Sequence, residues 1–368
     1  MPSMARRFLA YRTLVAFTCQ TPVFALFYLA NGLDYSGLMK LTLAFAGAKL
    51  ACDLPSGLFA DRFGRRSAIL LRVALEATSV ALLFGHHFLL SAILGGAAVA
   101  FSAGAEQALV FEWHGRGFAR TFGRTTSWSC ISTAVASLAG GALAVVSFDL
   151  VYLVRLAALL AAGAVAMTFV EPRRAVALPD LSPLEPQPRR LLRLLAFAGA
   201  LGAVNVAALQ LQQPYLRDAG IPLAALGGLF VVFQLATAAG ARFAHRLTSP
   251  LHAVALASAA GFGLLALPLP AAGVLALFLV KFAHGVSLPS FGAALTSLAP
   301  ASSRATTLSF RSLFEGSALL LAAPLMGLAA DRISLHAAFA VAAVLALPTL
   351  LLLETAPCAA PASSRSRA

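Results

Sequence analysis

Long apolar runs separated by short polar or glycine-bearing breaks make up nearly all of this chain. Twelve runs are long enough to treat as elements, at residues 8–31, 37–58, 67–85, 88–112, 125–147, 150–170, 191–214, 223–244, 251–268, 271–297, 306–329 and 335–353. A bilayer core of about 30 Å needs about 20 apolar residues per helix, and lipid offers unpaired backbone no partner, so these runs predict membrane helices. Between the sixth and seventh runs, residues 171–193 carry five prolines and five arginines, the composition of a solvated connector. The pattern therefore predicts an all-α polytopic membrane protein with twelve transmembrane helices in two six-helix bundles, 1–170 and 194–356, a linker at 171–193 and a tail at 357–368.

The two sets also repeat. Phe27 to Gly32 corresponds to Pro214 to Gly220, Phe101-x-x-Gly104 to Phe282-x-x-Gly285, and Arg124, Ser129 and Ser132 to Arg304, Ser309 and Ser312, at offsets of 187, 181 and 180. A shared order at nearly constant offset points to a duplicated six-helix unit, from which transporters that rock about a central site are built.

Composition narrows the class. With 60% hydrophobic and 11% charged residues and a mean hydropathy of +0.86, a water-soluble globular protein is excluded. The net charge is +13, but all but three of the 27 bases are arginine, and Lys40, Lys49 and Lys281 sit in apolar runs, so no nucleic-acid-binding stripe exists. Cys19, Cys52, Cys130 and Cys358 show no CxxC spacing and predict neither a disulfide nor a metal framework. The first run is too long for a signal peptide and lacks a small-residue cleavage pattern, so it reads as an uncleaved first membrane helix. Loops on the amino-terminal side hold eighteen arginines, and the opposite loops hold only Arg217 and Arg332. Cytoplasmic loops retain Lys and Arg, which predicts an inner-membrane protein with both termini cytoplasmic.

The densest motif is Gly57-Leu58-Phe59-Ala60-Asp61-Arg62-Phe63-Gly64-Arg65-Arg66, a charged turn between the second and third runs. Gly57 and Gly64 would permit close approach and a sharp reversal, while Asp61 could accept backbone donors at the next helix start or pair with Arg65. This segment resembles the G-x-x-x-D-R-x-G-R-R loop of the major facilitator superfamily, departing only at Phe59, where Leu is usual. A degraded copy, Ala241 to Arg246, stands 184 residues after its counterpart. The resemblance implies the twelve-helix fold, transport by alternating access, and a gating role for Gly57, Asp61, Arg62, Gly64, Arg65 and Arg66 through contacts near the eleventh helix. It also implies that helices one, four, seven and ten line a central cavity, which makes Gln20, Asn205, Gln210, Gln212, Gln213, Lys281 and His284 candidate substrate contacts. The antiporter signature of the fifth helix is only half present: Ala136 to Gly141 keeps the closing glycine pair and lacks the Gly-Pro kink.

Ionisable groups cost at least about 2.5–3.5 kcal/mol at the bilayer centre, so each is a functional candidate. Lys49 with Asp53, Arg72 with Glu76, and Arg311 with Glu315 stand four residues apart, close enough on a helix to form neutralising pairs. Glu106 has no base within one helical turn on its own helix, which makes it the first candidate proton carrier, with Asp53 and Glu76 in reserve; the structural alternative is pairing across helices. His284 lacks a second ligand at metal spacing, and His86-His87 falls in a short polar loop.

No GxxxxGK[ST], GxSxG or HExxH motif occurs, so neither ATP-driven transport nor an enzyme is expected. The expected function is proton-coupled movement of a small organic solute, export of a drug or metabolite before uptake symport, and a sensor or enzyme last. The chain is expected to act as a monomer in lipid without a cofactor. In a cysteine-free background carrying Ser182→Cys, an impermeant thiol reagent applied outside intact cells should leave the connector unlabelled; labelling would invert the topology.

Overall fold

The computed structural model describes residues 2–114, 118–171, 189–298 and 304–353. Outside the described residues lie most of the connector with Arg173, Arg174 and Ser182, the tail with Cys358, Arg365 and Arg367, Arg116, the surroundings of Gly104, and the side chains of Arg120, Arg304 and Ser309. No strand forms among the described residues.

The chain begins with α1 (Pro2–Val15) and the short α2 (Phe24–Ala30). The amino-terminal half continues through α3 (Tyr35–Phe63), α4 (Arg65–Phe84), α5 (Phe88–His114), α6 (Phe118–Val146) and α7 (Phe148–Met167). The second half holds α8 (Arg189–Asp218), α9 (Leu223–Phe243), α10 (Pro250–Leu265), α11 (Pro270–Leu298), α12 (Arg304–Arg332), α13 (Leu335–Ala346) and α14 (Thr349–Leu353). Among the described residues, ten spans are long and apolar enough to cross a membrane. The broken α1–α2 segment and the shorter apolar α10 take the remaining two places of the twelve-run pattern.

Within the first half, α5 packs on α3 and α4, and α7 on α1 and α4; within the second, α12 packs on α8 and α13, and α11 on α9 and α10. The halves meet chiefly along two seams, α3 against α12 and α6 against α9.

The first run does not form one helix. Residues 16–23 interrupt it, and Pro22 supplies the local cause: it has no N–H to give and disfavours helical geometry at Thr21. Backbone left open at this depth must be satisfied by protein. Ser132 and Thr133 of α6 donate to the Thr13 and Ala16 carbonyls at 2.7 and 3.0 Å. From the other half, the Gln213 amide donates to the Thr21 carbonyl at 2.7 Å and accepts from Ala25 N–H at 2.8 Å. Gly140 permits the closest approach, since a Cβ there would overlap the Cys19 carbonyl.

Candidate central cavity and charge network

A cavity of about 560 Å³ lies between the two halves, lined mainly by α3, α4 and α5 with residues of the helix break, α8 and α12. Its polar wall includes Gln20, Lys49, Glu76, Gln210 and Glu315, and Phe24, Tyr28, Phe45 and Tyr152 give it aromatic surface. Amides that donate and accept beside aromatic faces suit an amphiphilic organic solute.

Of the expected substrate contacts, Gln20 and Gln210 line this cavity, whereas Gln213 is fully buried and occupied by the backbone of the break. Lys281, His284, Asn205 and Gln212 instead line a separate crevice inside the second bundle. The tenth-helix pair therefore does not share a cavity wall with Gln20.

Behind Glu76 the first bundle holds a connected charge network. Arg72 pairs with Glu76 at 3.0 Å, as the spacing predicts, and Arg155 of α7 forms a second, very short ion pair with the same carboxylate. Arg155 is 1% exposed, and its other nitrogen donates to the Val15 and Phe17 carbonyls at 2.8 and 3.1 Å. A guanidinium thus caps the carboxyl end of α1, where the helix dipole favours positive charge.

Glu106 closes the network from α5. It accepts from Tyr11 at 2.8 Å and from Arg12 at 2.6 Å, with Arg72 3.6 Å away. Its isolation along its own helix is genuine, and bases from α1 and α4 supply the partners instead. Tyr11 in turn accepts from Arg72 at 3.0 Å. Periodicity on one helix could not reveal these partners, because a side chain's neighbours across helices depend on packing. Arg155 did carry a readable signal, being an arginine in the middle of an apolar run.

The other pairs divide. Lys49 and Asp53 meet at 3.5 Å. Arg311 and Glu315 do not meet within 4 Å: Arg311 lies over the Phe291 ring at 5.7 Å, while Glu315 turns toward the cavity and packs near Gly202. A spacing of four permits a pair but does not choose between it and other rotamers.

The charged turn is built differently from its expected pairing. Gly64 has φ +94° and ends α3, a conformation for which glycine is suited, whereas Gly57 faces open space. The N–H groups of Arg65 and Arg66 donate to Glu171 at 2.6 and 3.3 Å, so Glu171, rather than Asp61, caps α4. Arg65 pairs with Glu112 at 2.6 Å, Arg66 donates to the Met167 carbonyl at 2.5 Å, and Arg62 lies over Phe63 at 5.5 Å. The turn thereby ties α4 to the ends of α5 and α7.

At the arginine-poor end, contacts between halves are backbone-close. A Cβ on Gly141 would come 2.8 Å from Gly227 N, and one on Gly227 would come 3.1 Å from the Leu138 Cα. Across the other seam, the Asp331 carboxylate accepts from Tyr35 and Ser36 N–H at 2.9 and 2.8 Å while Asp34 accepts from Gly37 N–H at 2.6 Å. An acid from one half thus shares the cap of a helix in the other.

The sequence profile of the Major Facilitator Superfamily matches residues 13–270. The chain belongs to that superfamily. It is a membrane-embedded transporter of small molecules, not an enzyme. No curated protein matches it in sequence. Among solved structures it resembles a nucleoside transporter, NupG (D323A mutant), with TM-score 0.77, 11% identity, and coverage of 95% of this chain and 97% of that one. It also resembles a D-xylose-proton symporter, with TM-score 0.74, 12% identity and coverage of 97% and 98%. A third likeness is the human organic anion transporter MFSD10, with TM-score 0.61, 16% identity and coverage of 95% and 99%. Identities this low establish a shared fold.

Superfamily members alternate between conformations, so contacts made in one of them bias the balance. Gly227→Val should oppose the arrangement seen here by about 1–3 kcal/mol through overpacking, about a 5- to 150-fold population shift. In a cysteine-free background with Gln210→Cys in the cavity, labelling by a reagent applied at the arginine-poor face should accelerate. An unchanged rate would show that the glycine seam does not control access.

Proposed function

We propose that this transporter exports a small amphiphilic drug or metabolite across the inner membrane by proton-coupled alternating access, as a monomer with both termini cytoplasmic. The bundles 1–170 and 194–356 move about the central cavity, with 171–193 as their tether. The observation that carries the reading is the placement of Glu76: it lines the cavity while bonded to Arg72 and to the arginine that caps the broken first helix. A proton on Glu76 would remove the anionic member of both pairs, freeing Arg155 to relax its hold on the Val15 and Phe17 carbonyls. The charge state of a cavity carboxylate would thus reach the seam that Gln213 makes with the other half.

Glu106 takes a supporting part in this scheme. At 3% exposure and held by Tyr11, Arg12 and Arg72, it keeps the arginines in place rather than meeting solute. Asp53, partly exposed and paired with the cavity-lining Lys49, stands in reserve. The charged turn, with Asp61 among its residues, holds the ends of the first bundle together as it moves.

Counterflow and proton-driven accumulation in the same proteoliposomes test the assignment. Glu76→Gln should retain counterflow and lose accumulation, because a neutral amide cannot exchange a proton between faces. Glu106→Gln should instead lower stability, because Arg12 loses its carboxylate partner and Arg72 keeps only Glu76. Full accumulation by Glu76→Gln would remove it as the coupling group.

A further inference from the structure

The crevice inside the second bundle has a composition that transport through the central cavity does not use. Its walls come from α8, α10, α11 and α13: Asn205, Gln212, Lys281 and His284 supply the polar groups, and Phe262 and Phe339 help close it with apolar surface. No acidic side chain lines it, and Lys281 forms no ion pair or hydrogen bond among the described residues. The charged neighbours of His284 are Lys281 and Arg311, so the surroundings add positive charge. Glu315, the acid on the neighbouring helix, faces the central cavity instead.

An ammonium in a membrane bundle needs a counter-charge or must give up its proton, because desolvation of an unpaired ion costs more than either. A second observation favours the counter-charge. Gln212 is 2% exposed, lines the crevice, and its Nε2 has no hydrogen-bond partner. Buried amide donors are normally satisfied. Lys281 therefore brings a cation, and Gln212 a buried unused donor, to the set of residues that line the crevice, and no carboxylate is among them. The open volume is about 20 Å³. That is room for a water-sized species, not an organic solute.

We propose that this crevice is a binding site for a small inorganic monovalent anion of the chloride class, held by Lys281 and Gln212 and separate from the transported solute. Its occupancy would neutralise the interior of the second bundle without spending the cavity carboxylate Glu315. Because the crevice is outside the central cavity, the test reads binding without reference to transport.

Thermal unfolding of the purified full-length protein is followed in chloride and in gluconate at constant ionic strength. The parent should show a saturable rise in midpoint with chloride, since a ligand bound only to the folded state stabilises it. Lys281→Gln should weaken the apparent chloride affinity at least about tenfold. Gln212→Glu supplies a tethered carboxylate, so it should unfold at higher temperature than the parent in gluconate and lose the chloride response. If chloride leaves the parent's midpoint where gluconate puts it, Lys281 is neutral and the proposal is wrong. A Lys281→Gln variant that keeps the parent's response places any anion elsewhere and equally overturns it. If Lys281→Gln does not fold, the parent and Gln212→Glu still decide the matter.

Discussion

The interruption of the first membrane helix is the constraint around which the first bundle is organised. Eight residues without regular helix at bilayer depth leave carbonyl and amide groups that lipid cannot satisfy, so side chains from neighbouring helices must reach in. Arg155, Ser132, Thr133 and Gln213 do so from α7, α6 and α8. Recruiting an arginine for this purpose brings a positive charge into the bundle, and that charge requires Glu76. Arg72 then shares Glu76, and Glu106 offsets Arg72 together with Arg12. The network follows step by step from one break in one helix.

The same break joins the two halves. Gln213 belongs to the second bundle, yet its amide donates to Thr21 in the first bundle's irregular segment and accepts from Ala25 at the start of α2. Elsewhere the halves touch through glycine at Gly141 and Gly227 and through the helix cap supplied by Asp331. These contacts depend on position at the scale of a single methyl group or a single hydrogen bond. They join the two halves beside a buried apolar cluster in which Cys19, Met39, Ala136 and Ala144 of the first half pack with residues of the second. Hydrogen bonds and close glycine contacts of this kind re-form whenever the halves realign, which suits halves that must part and meet again.

The architecture was legible because it is written in quantities that one dimension carries. Run length and hydropathy locate the spans, and proline with arginine marks the connector. The charged turn then points to the family. The first helix was misread as continuous because apolar composition masks a break whose hydrogen bonds come from distant residues; Pro22 was the available warning. At the site, pairs four residues apart were readable where geometry is local, as with Lys49 and Asp53, and misleading where a better neighbour lay elsewhere, as with Arg311 beside Phe291. Glu106 shows the same limit from the other side. Its lack of partners on α5 was visible in the sequence, and its partners on α1 and α4 were not. Glu171 and Glu112 escaped notice because they serve the charged turn from a hundred and from fifty residues away in the chain, on the order of the distance at which no local pattern survives.

Charge bookkeeping links these particulars. Within the first bundle's network, three guanidiniums, of Arg12, Arg72 and Arg155, face two carboxylates, of Glu76 and Glu106. Backbone carbonyls at the helix break help stabilise the remaining positive charge, since they present the negative end of a helix dipole to Arg155. Among the described residues, the second bundle has Lys281 and Arg311 against Glu315 and no comparable break beside Lys281, so the excess is met by the Phe291 face at Arg311 and by no described partner at Lys281. Duplicated halves can share a fold and still solve the problem of buried charge differently. One half has absorbed its surplus into irregular backbone, and the other has kept a small donor-lined space where a counter-ion fits.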